Sequence, residues 1–216
     1  MIAPLLLMAT MALQAAEVTE PNTHVKFPTE LQAGAGAQAL TGTGVRTRTM
    51  LKVKVYAFGL YVDAAGARSS LGNWRGKSPA DLARDQALYD ELLKGSFPMT
   101  LRLVMTRDVG AERMSEAFNE ALAPRVAQAE QRGMMGGGAA LAKFRGFFSS
   151  ELKDGTELLF ARSGNILKVS IGGQDSGEID NGALAWALFD VYLGKKPISD
   201  DGKKTVVARL PEVLGS

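Results

Sequence analysis

The stretch Leu40–Asp63 reads LTGTGVRTRTMLKVKVYAFGLYVD, and it decides the fold. Two glycines, Gly42 and Gly44, stand near its start, and Arg46 follows directly after Gly44-Val45. The remainder is rich in β-branched and aromatic residues, which favour strands. The stretch therefore predicts a pair of neighbouring strands that the rest of the chain covers.

Hydrophobic periodicity places the two strands at 38–46 and 49–62. Over 51–55, apolar and basic residues alternate, which is the period-two pattern of a half-buried strand. From Tyr56 to Val62, apolar or aromatic residues occupy both faces of the strand. We therefore expect this second half to be covered on both sides.

Capping signals predict the helices. Ser78 followed by Pro79 is typical of a helix start, and Gly95 marks a stop, so a helix is predicted from Pro79 to about Lys94. A second helix is predicted over 110–131, kinked or split by Pro124. The other predicted elements are strands at 27–31, 98–106, 156–161, 166–171 and near 178–179, and helices at 139–148, 183–193 and 199–210.

The order of these elements indicates the fold class. Strands and helices are partly segregated along the chain and do not alternate strictly. Such an order favours an α+β fold, in which a large antiparallel sheet is covered by a layer of helices. No composition shift divides residues 27–214, so we expect them to form one domain.

Composition excludes several classes of function. The chain has 216 residues, of which 46% are hydrophobic and 22% charged, as in ordinary globular proteins. It has no cysteine and a single histidine, His24, so cysteine catalysis and Cys/His zinc sites are excluded. No metal-ligand spacing is present, and we expect neither a metal nor a cofactor. The net charge is +2 and the basic residues are scattered, so no nucleic-acid partner is predicted.

The N-terminal residues predict export. Residues 1–16, MIAPLLLMATMALQAA, are apolar and uncharged, and they resemble a signal peptide cleaved near Ala15 or Ala16. A buried N-terminal helix is the alternative. Residues 17–26 are polar and predict a tether before the domain. No later run is long and apolar enough for a transmembrane segment in the mature chain, so we expect a periplasmic or secreted protein.

Arg46 and Tyr56 are the candidate ligand-binding residues. A guanidinium stays charged and can hold a carboxylate through two parallel hydrogen bonds. If the two central strands pair as a hairpin, both side chains reach the same cleft and suit a fatty acid or another amphipathic anion. The alternative is a salt bridge from Arg46 to an acid, with Tyr56 as a core aromatic. Arg102, in a later strand, either lines the cleft or points to water.

The central stretch resembles the signature of the chalcone isomerase-like superfamily. The resemblance rests on the Gly-x-Gly-x-Arg portion formed by Gly42, Gly44 and Arg46, and on the VYAFGLY portion, Val55–Tyr61. The second portion is especially similar to the plant fatty-acid-binding branch. The resemblance implies an open-faced β-sandwich, with a ligand cleft between the sheet and the helices.

Plant chalcone isomerases cyclise a chalcone to a flavanone, and the resemblance assigns positions in this chain to their site. Arg46 matches the arginine that acts on the substrate, and Tyr56 stands where the isomerases have a threonine. Met114 stands where they have a tyrosine, and Ala121 where they have an asparagine. These replacements imply a non-catalytic protein that binds a fatty acid or similar amphipathic carboxylate through Arg46 and Tyr56, and the N-terminal segment predicts that it is exported. The alternative is an isomerase, an intramolecular lyase acting on a bacterial substrate, with Arg46 as its catalytic group.

Overall fold

The computed structural model describes residues 16–34, 36–48 and 53–215. The predicted signal segment, apart from Ala16, and the strand positions 49–52 lie outside these residues. The strands are β1 (Glu17–Thr19), β2 (Lys26–Pro28), β3 (Glu30–Ala33), β4 (Gly36–Arg48), β5 (Val53–Val62), β6 (Met99–Met105), β7 (Glu157–Ser163), β8 (Ile166–Ile171) and β9 (Gln174–Asp180).

Helices occupy three regions of the chain: between β5 and β6, between β6 and β7, and after β9. They are α1 (Ala64–Ser70), α2 (Pro79–Leu82), α3 (Gln86–Lys94), α4 (Ala111–Gln131), α5 (Gly137–Gly146), α6 (Gly182–Leu193), α7 (Asp200–Thr205) and α8 (Leu210–Leu214), with a 3₁₀ turn at Gly72–Trp74. No helix in the described part of the chain is long and apolar enough to cross a membrane.

The main sheet is a meander. Its seven strands follow the order β3-β4-β5-β6-β7-β8-β9, and every neighbouring pair is antiparallel. Helix α6 is apolar except at Asp190 and Tyr192, and ten of its twelve residues are buried, because it lies between the sheet and the other helices. The prediction of an α+β fold with a large antiparallel sheet and a helical layer is confirmed.

Strand β5 is covered on both faces, as its sequence predicts. Tyr56, Phe58, Leu60 and Val62 belong to the large core beneath the helices. The alternate residue Tyr61 faces the other side of the sheet. There it joins a smaller apolar cluster with Phe27, Leu40, Ala57 and Val104.

The segment predicted as a polar tether, 17–26, instead forms a hairpin, because β1 pairs with β2. Its turn is organised by Glu20, which is 2% exposed and whose carboxylate accepts hydrogen bonds from Asn22 and Thr23. Burial opposes ionisation of Glu20, but these hydrogen bonds outweigh it and lower the pKa of the carboxyl. The polar composition of this segment does not indicate that one of its carboxylates is buried and hydrogen-bonded.

Two predicted helices are shorter in the structure. The prediction of one helix from Pro79 to Lys94 is wrong, because Asp85 starts α3 by accepting hydrogen bonds from the N–H groups of Ala87 and Leu88. Its stop at Gly95, which adopts a left-handed conformation, is confirmed. The last predicted helix, 199–210, ends earlier than predicted, because α7 stops at Thr205 and α8 begins only at Leu210.

Helix α4, in contrast, is not divided: it continues through Pro124. A proline inside a helix leaves one carbonyl of the preceding turn without its usual N–H donor. Packing offsets this loss, since five residues of α4 are buried against the rest of the core.

The C-terminal segment packs against strand β4 at the glycines of that strand. A β-bulge at Thr41 turns its hydroxyl to within 2.7 Å of the carbonyl oxygen of Val206. A Cβ at Gly42 would lie 2.1 Å from the carbonyl oxygen of Thr205. A Cβ at Gly44 would lie 2.8 Å from the Cα atom of Gly202. Only glycine at these two positions leaves room for α7.

Gly42→Ala should therefore destabilise the fold. The new methyl group would collide with a backbone carbonyl, and we expect the free energy of unfolding to fall by about 1–3 kcal/mol. Gly36→Ala is the matched control, because it lies in the same strand with nothing within 4 Å of an added Cβ. Urea denaturation measures both variants. Equal stability of the two would contradict the assigned contact.

Candidate functional site

Arg46 and Tyr56 lie directly opposite each other in the antiparallel pair of β4 and β5. Directly opposed residues of such a pair project from the same face of a sheet. The register slips by one residue immediately after this pair, at Val55. Bulges of this kind are frequent next to functional sites, where they redirect side chains.

Both residues line one cavity of about 690 Å3, between the sheet, α4 and the end of α6. Its volume lies within the range of about 300–1,000 Å3 that is usual for small-molecule sites. The other lining residues are Arg48, Val53, Val55, Arg107, Asp108, Val109, Arg113, Met114, Glu116, Ala117, Phe118, Glu120, Ala121, Arg125, Val191, Tyr192 and Ile198. We refer to it as the ligand cleft.

Tyr56 shares a hydrogen bond with Tyr192 of α6, and the two hydroxyl oxygens are 3.0 Å apart. Both side chains are buried. Burial raises the pKa of each phenol, and the positive charge of Arg46 opposes the shift only in part. Sequence reasoning missed Tyr192, and the available signal was a hydroxyl in a helix whose other polar side chain is that of Asp190.

Arg46 has no acidic partner in the part of the chain that the structure describes. Its Nη1 donates a hydrogen bond to the carbonyl oxygen of Ile198, at 2.7 Å. No Asp or Glu oxygen among the described residues lies within salt-bridge distance of its guanidinium. The alternative of an Arg46 salt bridge is therefore not observed there, and the charge faces the ligand cleft.

The sequence matches the family described as "Chalcone isomerase like" over residues 37–207. This chain belongs to the chalcone isomerase-like family. Among its relatives is fatty-acid-binding protein 1 of Arabidopsis thaliana, 26% identical over 192 residues, which span 87% of this chain and 68% of the relative. Another is the chalcone–flavanone isomerase of Gentiana triflora, 26% identical over 167 residues, or 73% of this chain and 74% of the relative.

A solved structure supports the same architecture. The crystal structure of a fatty-acid-binding protein of Arabidopsis thaliana superposes with a TM-score of 0.76 at 21% identity. The superposition covers 92% of this chain and 99% of the plant protein. The chain thus has the fold of the chalcone isomerase-like family, which contains both isomerases and fatty-acid-binding proteins.

The helical wall of the cleft is apolar at the positions that the family resemblance singles out. Met114, Phe118 and Ala121 recur at the spacing of one helix face, and all three line the cleft. The structure therefore brings Met114 and Ala121 together with Arg46 and Tyr56. Neither a methionine nor an alanine side chain can donate a proton or orient a water molecule.

The rim of the cleft is charged. Arg48, Arg107 and Arg113 are exposed there, and Arg48 lies 3.8 Å from Glu120. These residues come from separate elements, so no local sequence pattern connects them. No group of three or more metal-binding side chains occurs in the described residues.

Arg102 lies outside the cleft, on the opposite face of the sheet. It pairs with Glu157, and its guanidinium lies 5.1 Å from the ring centre of Phe27. Arg102 therefore neither lines the cleft nor points freely to water, because the hairpin of β1 and β2 covers this face of the sheet.

All four tyrosines of the chain are buried, and burial raises the pKa of each one, with that of Tyr89 raised to about 12. The folded state therefore holds these protons more tightly than the unfolded state, whose phenols have a pKa of about 10. The free energy of unfolding should keep its full value below the phenol pKa of the unfolded chain and decrease as the pH rises above it.

An alkaline titration checks this prediction through tyrosinate absorbance and circular dichroism recorded together. We expect tyrosinate to form only as the fold is lost, with the urea-unfolded chain as the control. Ionisation of a tyrosine near its ordinary pKa without loss of the circular dichroism signal would contradict it.

Proposed function

We propose that this protein binds a fatty acid or a similar amphipathic carboxylate in the ligand cleft. The observation that carries the proposal is the guanidinium of Arg46, which faces the cleft without an acidic partner among the described residues. Relatives that are named fatty-acid-binding proteins support the same ligand class.

Arg46 and Tyr56 would hold the carboxylate. An arginine fork offers two parallel N–H donors that match the two oxygens of a carboxylate. Tyr192 can donate its hydroxyl proton to Tyr56, which leaves the Tyr56 hydroxyl free to donate to the ligand. Two phenols and one guanidinium would then share the negative charge inside a largely buried site.

The hydrocarbon part of the ligand would lie against the apolar wall. Val55 of β5, Val191 of α6, and Met114 and Phe118 of α4 line the cleft. Methionine adapts its shape readily, which suits an alkyl chain. Burying that chain would supply most of the binding free energy, at about 25 cal/mol per Å2 of apolar surface.

The alternative is an isomerase that uses Arg46 to stabilise developing negative charge. Similarity to chalcone–flavanone isomerases favours it, since these relatives match 73% of the chain. The apolar wall at Met114 and Ala121 weighs against it, because the groups that assist Arg46 in the plant enzymes are absent there. We therefore propose binding without efficient turnover.

Arg46→Met should abolish most of the binding while it preserves the length of the side chain. The loss of a charged hydrogen bond of about 1.5–3 kcal/mol predicts a Kd at least tenfold higher. Arg46→Lys should recover only part of the affinity, because an ammonium cannot form the two parallel bonds. Arg84→Met, on an exposed residue outside the cleft, is the matched control.

Titration with a long-chain fatty acid, and mass spectrometry of the lipid that co-purifies, measure these effects. Urea denaturation shows whether each variant is folded, since Arg46 also bonds to Ile198. Wild-type affinity in a folded Arg46→Met variant would remove Arg46 from the site. Turnover of a chalcone above the uncatalysed rate would favour the isomerase alternative.

We also propose that the protein is exported and that the apolar N-terminal segment, up to Ala15, directs export. The apolar, uncharged character of this segment supports it. The backbone N–H of Thr29 donates a hydrogen bond to the carbonyl oxygen of Ala16, at 2.7 Å. Cleavage after Ala15 would keep this bond, so we favour Ala16 as the first residue of the mature chain.

Expression in a Gram-negative host should therefore yield a periplasmic protein that lacks the N-terminal segment. Replacement of Leu5 and Leu6 by lysine should block export, because charge in the apolar region prevents recognition as a signal. Cell fractionation and intact mass measure both effects. An uncleaved cytoplasmic product from the unmodified chain would contradict the proposal.

A further inference from the structure

A second cavity, of about 870 Å3, lies between α3, α4, α6 and the segment that follows α6. Of the residues that the structure places around the two cavities, Arg125 alone lines both. We call it the basic cavity, because six basic side chains line it: Lys94, Arg125, Arg132, Arg162, Lys195 and Lys196.

Positive charge is concentrated in this cavity. Two acidic side chains, Asp90 and Asp190, oppose the six basic ones, so the lining carries a formal net charge of +4. The whole chain carries only +2. Clefts lined by one sign of charge focus the electric field and raise the local concentration of oppositely charged molecules.

Two of the basic residues form the fixed wall of the cavity. Arg125 pairs with Asp190, with 2.9 Å between its Nε and the Oδ2 of the carboxylate. Arg162 is 5% exposed and donates hydrogen bonds to backbone carbonyl oxygens, including that of Leu93 at the end of α3. Burial lowers the pKa of Arg162 to about 10, so its guanidinium remains charged at neutral pH.

Three other basic residues have no acid within salt-bridge distance among residues 16–34, 36–48 and 53–215. They are Arg132, Lys195 and Lys196. The guanidinium of Arg132 lies 4.9 Å from the ring centre of Trp186, a cation–π contact that orients it. Lys195 and Lys196 are exposed on the segment after α6.

We propose that the basic cavity binds a small, multiply charged anion that carries phosphate or carboxylate groups. Arg132 would contact it with an oriented fork of donors, and the two lysines with mobile point charges. The amide groups of Gln128 and Asn165 also line the cavity and can donate to further oxygens. A free anion and the phosphate headgroup of a lipid present the same chemistry.

Isothermal titration calorimetry with inorganic pyrophosphate tests the site in the otherwise unchanged chain. We expect saturable binding that weakens at high salt. The double variant Lys195→Gln/Lys196→Gln should raise the Kd roughly fivefold or more, as two partly exposed ion contacts predict. The double variant Lys26→Gln/Lys168→Gln is the control, because it removes the same charge from two exposed residues that do not line the cavity.

Tryptophan fluorescence locates the anion. The chain has two tryptophans, so Trp74→Phe leaves Trp186 as the reporter beneath Arg132. Its emission should change with pyrophosphate at the concentrations that calorimetry gives. A calorimetric signal without any change at Trp186 would place the anion elsewhere and overturn the assignment.

Vesicles distinguish the two sources of the anion. A lipid headgroup would be identified if the protein cosediments with phosphatidylcholine vesicles that contain phosphatidic acid, whose phosphomonoester can carry two charges, but does not bind pyrophosphate. Lys195→Gln/Lys196→Gln should then weaken the cosedimentation. Pyrophosphate binding that the same variant weakens would identify a free anion. Absence of both, or equal weakening by the control variant, would overturn the proposal. None of these variants changes Arg46 or Tyr56, so the result is independent of fatty-acid binding.

Discussion

The close approach of α7 to strand β4 is the contact on which the ligand cleft depends. Glycine stands on both sides of it, Gly44 on the strand and Gly202 on the helix, so the two backbones meet without side chains between them. The hydroxyl and carbonyl groups of Thr41 hold the residues after α7 in place through hydrogen bonds with Val206 and Arg209. The position of α7 in turn fixes the segment that leads from α6 into it.

That segment, 194–199, lies between two arginines from different layers of the fold. Arg46 reaches it from the sheet and donates to the carbonyl oxygen of Ile198. Arg125 reaches it from α4 and donates to the carbonyl oxygen of Lys196. Residues of the segment line both cavities: Lys195 and Lys196 line the basic cavity, and Ile198 lines the ligand cleft.

The sheet was predictable because its pattern is strong. From Tyr56 to Val62 both faces of β5 are apolar, so this half of the strand was predicted to be covered on both sides. Apolar residues on both faces do not specify a register, since a slip of one residue still buries them. The pairing of Arg46 with Tyr56 was therefore predicted only on the condition that the two strands form a hairpin, and the structure shows that hairpin. Their location in a cleft between the sheet and the helices followed from the family resemblance.

Other features depend on contacts between distant residues and carry no local signal. Tyr192 belongs to a helix whose residues are buried on nearly every side, so periodicity does not tell which of them faces Tyr56. The break before α3 depends on Asp85, whose carboxylate also accepts a hydrogen bond from the indole N–H of Trp74. The carbonyl of Ile198 has a further consequence, because it holds Arg46 through Nη1 alone. It keeps the guanidinium oriented before any ligand arrives, which avoids an ordering cost of about 0.5–1.5 kcal/mol. A guanidinium has further N–H donors, so the carboxylate proposed for the cleft would bind through those and leave the bond to Ile198 in place.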